Sequence, residues 1–505
     1  MRPVLAACLS CALCGACEMA GARAEDKREI APLVLLVQHP AASVAALGIG
    51  PQSLFRQPSA TPDGSTARPF PTLASALRAA PAGALLRIEE GTWHERLTIV
   101  RPVVLMGRGA TRTRIVSPDG AETVVEVRGA DHVELYGLSI EGGQVGLLFE
   151  GGAGHRVENV ELRDCREAGL RGRGASITFA SSEVTSIGRG IFGRGIDLDG
   201  GSLEARKLVL RAAGRRGIVL RAARGMLEDV DVRDSGLSAL QAIDGAEVRV
   251  LRGVYEGQSG AALYAGRARL SIECALVRHD DYAVIGFRGS EISVLGGEVT
   301  DYHVAGVALV KSHGSVQGTT FARGGTEAAI SITRADGRLP VLLVDNRIRD
   351  PGTMGVHITE SSVTALGNTI TGARLDREKD LGDAFFAIDS TLVIERNVLR
   401  ANAGSGISAT RSTVQLAGNG FIENGRAGVL LLDRSRGNAR SNVFERNARA
   451  GVELSERARA VLSENRFGGN LRFDIDAGCE KGFAGIAEIA EGNIFAAPLR
   501  ERSCD

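Results

Sequence analysis

Two stretches, "RHDDY" ending at Tyr282 and "TDYHV" ending at Val304, concentrate acids and imidazoles. With 22 residues per repeat, His279 falls over Asp301, Asp280 over Tyr302, and Asp281 over His303. A carboxylate beside an imidazole fixes which ring nitrogen carries the proton. Such a pair serves as a general base with its orienter, or as part of a divalent-metal site. His279, Asp281, Asp301 and His303 are therefore the candidate catalytic residues, with Glu256 one repeat below. Four of the five tyrosines, Tyr255, Tyr264, Tyr282 and Tyr302, fall on the same repeats. Sugar rings pack on aromatic faces, so Tyr255, Tyr282, Tyr302 and Asp280 complete a candidate carbohydrate patch. The plainer alternative is a solvated corner where polar residues collect.

A second group surrounds the insertion "GARLDREKDLGDA" at 372–384, which is expected to overhang His357, Glu360 and Asp389. Insertions on one face of a repeat array often line a binding surface, so His357 and Asp389 join the candidate substrate-binding residues. The "GIDLDG" run at 195 places two aspartates on one strand. It falls short of the six or more oxygens that calcium takes, so calcium is not indicated and no cofactor is expected.

What must hold these residues is a repeat. "NVFERNARAGVELSERARAVLSENRFGGN", residues 442–470, states nearly the same unit twice. Asn465, Asn442, Asn419, Asn397, Asn368 and Asn346 step by 23, 23, 22, 29 and 22 residues, and Asn470, Asn447, Asn424 and Asn402 by 23, 23 and 22. Each period carries a Gly and then alternating apolar residues, as in "GVELS" at 451, "GVLLL" at 428 and "GVALV" at 306. Periods of 20 to 50 residues mean a solenoid or array. The segments alternate with period two and are punctuated by Gly, Asn and Asp, which excludes helical repeats. One period divides into three short strands and three corners, each strand stacking on its equivalent one rung away at roughly 4.8 Å. Asn tolerates left-handed corners and can bond the rung above, so a file of Asn becomes a hydrogen-bonded ladder. The expected fold is all-β, a single-stranded parallel β-helix of about fifteen rungs over 123–475.

These units resemble the right-handed parallel β-helix proteins of the pectin-lyase-like superfamily. "ARPFPTLASALRAAPAGALLRIEEGTWHERLTI", from Ala67 to Ile99, is similar to their entry segment: a short amphipathic helix with Leu73, Ala76, Leu77 and Ala80 on one face, a first strand and a "GTWHE" corner. The resemblance implies a fold. For activity it implies only a range, from polysaccharide lyases, hydrolases, esterases and epimerases to non-catalytic surface proteins. The motifs by which its esterases, polygalacturonases and epimerases work are absent from the sequence. Such enzymes carry their acids and bases on the outer face of one sheet, and the middle of that face is apolar here. Residues 32–50 are expected to fold back over it.

Composition sets the remaining limits. With 60 basic and 60 acidic residues among 505, no overall field favours nucleic acid or an anionic membrane surface. The 65 glycines fit frequent tight corners. Residues 1–24 read as a signal peptide with an A-x-A site at Ala22 and Ala24, and "LAAC" at 5–8 admits a lipoprotein anchor. Residues 25–60 form an extension, 61–122 the N-terminal cap and first rungs, and 476–505 a C-terminal cap in which Cys479 and Cys504 either pair or stand as two free thiols. No later stretch is long and apolar enough to span a membrane. The sequence thus describes an exported β-helix protein that binds, and in one reading cleaves by lyase or hydrolase chemistry, an extracellular polysaccharide. The alternative is a structural or adhesive rod without catalysis.

Overall fold

The computed structural model describes residues 33–38 and 61–501, apart from 121, 189–191, 337–338, 377, 379–380 and 481–482. The expected signal peptide, the anchor cysteine, most of the extension and Cys504 lie outside these residues; Cys479 is disulfide-bonded. Contacts divide the chain into two units. The first runs to Leu240 and includes Gly245–Val254; the second holds Gln241–Asp244 and everything from Tyr255.

In the first unit, the helix Leu73–Ala79 buries Leu73, Ala76 and Leu77, and Ala80 at its C-cap is buried as well. Thr72 caps it by accepting from the Ser75 N–H, and the Glu95 carboxylate accepts from the N–H groups of Leu73 and Ala74 at 2.8 and 2.9 Å. A carboxylate on exposed helix N–H groups is favourable by hydrogen bonding and dipole alike. The strand Val34–Val37 pairs in parallel with Ala84–Ile88. The described part of the segment expected to cover an outer face therefore closes a sheet edge instead, where its backbone groups find partners.

Rungs follow in both units. In the first, Ala168–Arg173, Ser176–Ala180 and Glu183–Ile187 make one rung, with Leu170 on Ile196, Ile177 on Leu203 and Val184 on Leu210 of the next. In the second, Ala427–Leu432, Arg436–Arg440 and Val443–Glu445 stack on Ala450–Leu454, Arg459–Ser463 and Arg466–Gly468. The first strands of the rungs number eighteen among the described residues. About fifteen were expected, and the excess lies partly in Leu97–Ile99 and Leu499–Glu501, which fall within the expected caps.

The inward positions hold the core. Phe421, Phe444, Phe467 and Phe495 stack face to face at 4.8, 4.8 and 5.0 Å. Beside them run the asparagine ladders. Asn419 donates from Nδ2 to the Ile394 carbonyl at 2.7 Å and to Asn442 Oδ1 at 2.9 Å, and its own Oδ1 accepts from the Asn397 N–H at 2.9 Å. Each amide thus satisfies corner groups that burial would otherwise leave unpaired. One detail differs from expectation. The left-handed residue is the one before each Asn: Arg396, Ala401, Glu423, Ser441, Arg446 and Glu464 all have positive φ. The Asn itself points inward, and its predecessor points to solvent, commonly carrying charge.

Candidate functional site

That corner rule explains where the sequence-predicted residues fall. His279 and Asp301 occupy the left-handed slot, with φ of 59° and 54°. Asp280 and Tyr302 take the inward slot that Asn fills elsewhere. The expected register is present, the His303 N–H donating to the Asp280 carbonyl at 2.9 Å. His279 lies between two acids, its Nδ1 3.5 Å from Glu256 and its Nε2 4.0 Å from Asp301. His303 Nδ1 lies 3.4 Å from Asp281. Two imidazole and carboxylate pairs are thus brought together in the corner that enters the first strands Tyr282–Phe287 and Ala305–Val310.

The pairs differ in chemistry. Asp301 is held by Arg323 through two bonds of 2.7 Å, which keeps its carboxyl below the usual range. Glu256 accepts from Arg278 at 2.9 Å. Clamped by its guanidinium, the Asp301 carboxylate is a weak base. Other left-handed slots show the same cross-rung bonding: Glu423 accepts from Arg400 and Arg446 at 3.0 Å each, and Asp389 from Arg411 at 2.8 and 2.9 Å. Among the described residues, no arginine bonds Asp281, which is half-buried, and His303 is exposed.

Three members of the expected carbohydrate patch are corrected by burial. Tyr255 lies inward in the strand Val254–Glu256 and is fully buried, as is Tyr302, whose hydroxyl donates to the Pro351 carbonyl at 3.1 Å. Neither presents a face to a sugar. Asp280 is buried too, its Oδ1 accepting from the Gln258 N–H at 2.6 Å, and burial pushes its carboxyl up to about 8. These residues sit in inward slots, which alternation alone did not assign across a corner. Tyr282 stays half-buried at the start of its strand.

The outer face of the first strands carries a second constellation. Tyr264, Ile285, Ala308, Ser331, His357, Phe386, Ser408, Leu430, Glu453 and Asp476 follow one another in register. His357 meets the Phe386 ring at 5.8 Å and Thr359 Oγ1 at 3.1 Å, and burial holds its imidazole below the usual range, favouring the neutral form. Asp389 is not on this face: Phe385–Ile388 ends before it, and it sits in the corner with Arg411.

Beyond His357 lies a groove of about 670 Å³ with Phe386, Ser408, Thr410, Leu430 and Leu432 in its lining and Leu375 of the insertion at its side. Arg426, Arg449 and Arg472 line the same groove. Their backbones are bonded rung to rung, the Arg449 N–H donating to the Arg426 carbonyl at 2.8 Å and the Arg472 N–H to the Arg449 carbonyl at 3.1 Å. Arg426 and Arg449 reach the buried Glu453 at 3.3 and 3.1 Å. Arg472 is exposed and has no carboxylate partner among the described residues. This row was readable in the sequence as "GRAGV", "ARAGV" and "LRFDI", an Arg every 23 residues two places beyond each ladder Asn.

The right-handed β-helix region family matches residues 355–484. No curated protein matches the chain. Among solved structures, an alginate lyase from Paenibacillus is similar with a TM-score of 0.34 at 14% identity, over 50% of this chain and 91% of the lyase. The periplasmic alginate epimerase AlgG gives 0.36 at 12%, over 63% and 77%. A pectate lyase gives 0.28 at 12%, over 66% and 75%. Likeness at this level concerns fold and carries no activity across. Among the described residues no helix is long and apolar enough to cross a membrane. The stacked parallel rungs, with the family match over residues 355–484, give the chain the fold of a right-handed parallel β-helix, the parallel rungs as the repeat predicted and the hand as the resemblance implied.

Proposed function

We propose that this protein binds an extended, anionic polysaccharide along the outer face of its first strands, in the groove between Phe386 and Arg472. The observation that carries the reading is the row Arg426, Arg449 and Arg472 beside an apolar floor of Phe386 and Leu430. Rungs repeat at roughly 4.8 Å, so the row offers cations at a spacing comparable to successive sugars of a linear chain. Guanidinium forks suit carboxylates, and aromatic or aliphatic floors suit the apolar faces of pyranose rings. Arg472, with no carboxylate partner among the described residues, is the member with full capacity for a ligand.

Within this proposal, proton transfer falls to Asp281 and His303, whose groups no arginine engages among the described residues. A neutral imidazole oriented by Asp281 would take the proton beside a sugar carboxylate, as a lyase requires. The structural rod remains the second reading, favoured by one observation: His279 and Asp301 belong to the same cross-rung charge pattern that links Glu423 to Arg446. Retention on immobilised acidic and neutral polysaccharides, with absorbance of unsaturated products followed in parallel, tests all three. Retention with product supports the whole proposal. Retention alone supports a binding module, and failure of both leaves the rod.

A further inference from the structure

In the first unit, the corner between the second and third strands of a rung turns on one left-handed residue. Asn159, Ser181, Lys207 and Asp229 fill that slot on successive rungs, with φ between 47° and 54°. Nearer the N-terminus the corner is wider: residues 107–112 make a loop between the strands Val103–Met106 and Thr113–Val116. Backbone bonds hold this loop in place. The Gly109 N–H donates to the Gly137 carbonyl at 2.8 Å, and the N–H groups of Arg112 and Thr113 donate to the Gly109 carbonyl at 2.9 Å each. A Cβ at position 107 would lie 2.3 Å from the Gly137 oxygen, so the approach needs glycine. The loop thus stands as a wall at one end of the corner file.

Between that wall and Lys207 lies a groove of about 590 Å³, a size usual for small-ligand sites. Ala110 and Thr111 line it from the loop, and Asn159, Ser181 and Lys207 from the corner. Glu161, Glu183 and Val209 line it from the third strands, where they follow one another in register. One rung farther on, charge at the same corner is bonded across rungs, Arg252 Nε donating to Asp229 at 3.0 Å. Around the groove such bonds are missing. Among the described residues Lys207 and Glu183 have no ion-pair partner, each other included, and the side chains of Thr111, Asn159 and Ser181 make no hydrogen bond. Glu161 and Glu183 face each other as like charges, which opposes pairing. Arg163 lies 3.5 Å from Glu161 but also bonds Glu141 at 2.6 Å.

The polar groups of the groove are therefore unspent, and they are mixed. Two carboxylates accept, an ammonium donates, and an amide and two hydroxyls do both. An anion is repelled by Glu161 and Glu183, and a cation by Lys207. A neutral ligand rich in hydroxyls meets neither penalty, because each hydroxyl donates to a carboxylate or accepts from Lys207 and Asn159 as its place requires. We propose that this groove is a second binding site and that it takes a short segment of a neutral oligosaccharide. It shares no residue with the groove of the second unit and does not depend on that groove's function.

The test titrates the full chain with cellotetraose, mannotetraose and maltotetraose in turn by calorimetry, with triglycine, a zwitterion of comparable length, as the reference ligand. At least one of the sugars is expected to bind, and triglycine is not. Glu183→Gln and Lys207→Gln are each expected to raise the Kd for that sugar at least about tenfold, because each removes a charge-assisted bond. Neither residue has an ion-pair partner to lose, so the Tm of both variants should match that of the parent. Arg472→Gln, which alters the groove of the second unit, should leave the Kd unchanged. Loss of sugar binding in Arg472→Gln with retention in Glu183→Gln and Lys207→Gln would assign the sugar to the other groove and overturn the proposal. Binding of triglycine in place of the sugars, or no binding by any of the three sugars, would overturn it as well.

Discussion

His303 Nδ1 and Asp281 Oδ1 lie 3.4 Å apart on neighbouring rungs, the histidine exposed, the aspartate half-buried, and neither engaged by an arginine among the described residues. A pair that acts as one unit loses its function when either member is removed. Asp281→Asn, His303→Gln and the double variant are therefore expected to lower glycan turnover to the same level while leaving retention intact. As corner residues outside the core they should change stability by less than about 0.5 kcal/mol. Additive losses in the double variant would show that the two do not work together.

Asp280 makes a prediction about pH. Burial raises its carboxyl to about 8, with the Gln258 N–H opposing and Glu256 and Asp281 adding to the shift. The fold therefore keeps a proton that the unfolded chain releases near its ordinary 3.8. Stability contributed this way falls as pH rises between those values, by at most about 1.4 kcal/mol per pH unit, and the loss is complete above the folded value. Asp280→Asn places a permanent donor in the ladder slot. Parent and variant should show the same pH dependence below pH 4, and the variant should gain on the parent up to pH 9. Parallel stability curves over that range would contradict the assignment.

Asn419→Ala removes an amide that bonds four neighbouring groups: the Ile394 carbonyl, Asn442 Oδ1, and the N–H and Nδ2 of Asn397. Several buried groups would be left without partners, so a loss of about 3 kcal/mol or more is expected in denaturant unfolding. A change below about 1 kcal/mol would mean that the ladder contributes shape more than stability.

Glu141 in the first unit clamps three rungs, accepting from Arg114 at 2.8 and 2.6 Å, Arg163 at 2.6 Å and Ser139 at 2.7 Å. Burial alone would raise its carboxyl, but these bonds outweigh it and hold it at about 2. Its folded value is lowered, so its contribution is present above the ordinary 4.5 and is lost as pH falls toward 2. Glu141→Gln should be less stable than the parent at pH 7, and the gap should close on acidification. A gap that stays constant would assign the loss to packing.

The fold was legible because a solenoid writes the same constraint many times over. Asn at 442 and 465, Phe at 444 and 467 and Gly at 428 and 451 each specify one slot, and repetition separates slot from chance. The stacking of His279 on Asp301 and of Asp281 on His303 followed from the same period. Direction across a corner was harder to read. Alternation fixes sides within a strand, but a left-handed residue resets it, so the pattern displays Tyr255, Tyr302 and Asp280 where the fold buries them. Tyr264, which the sequence places only on these repeats, lies in the outer file paired with Ile285. The arginine row at 426, 449 and 472 was visible as a period and passed over, because surface charge in a repeat looks like solvation until a groove is seen beside it.

The most direct test of the proposed function is the affinity of the full chain and of Arg472→Gln for a soluble polyuronate, measured at fixed ionic strength by titration calorimetry. A charge-assisted bond is worth about 1.5–3 kcal/mol, so the variant should bind at least about tenfold more weakly, with unfolding temperature unchanged. Equal affinity of the two proteins, or no binding by either, would contradict the assignment of the groove as the polysaccharide site.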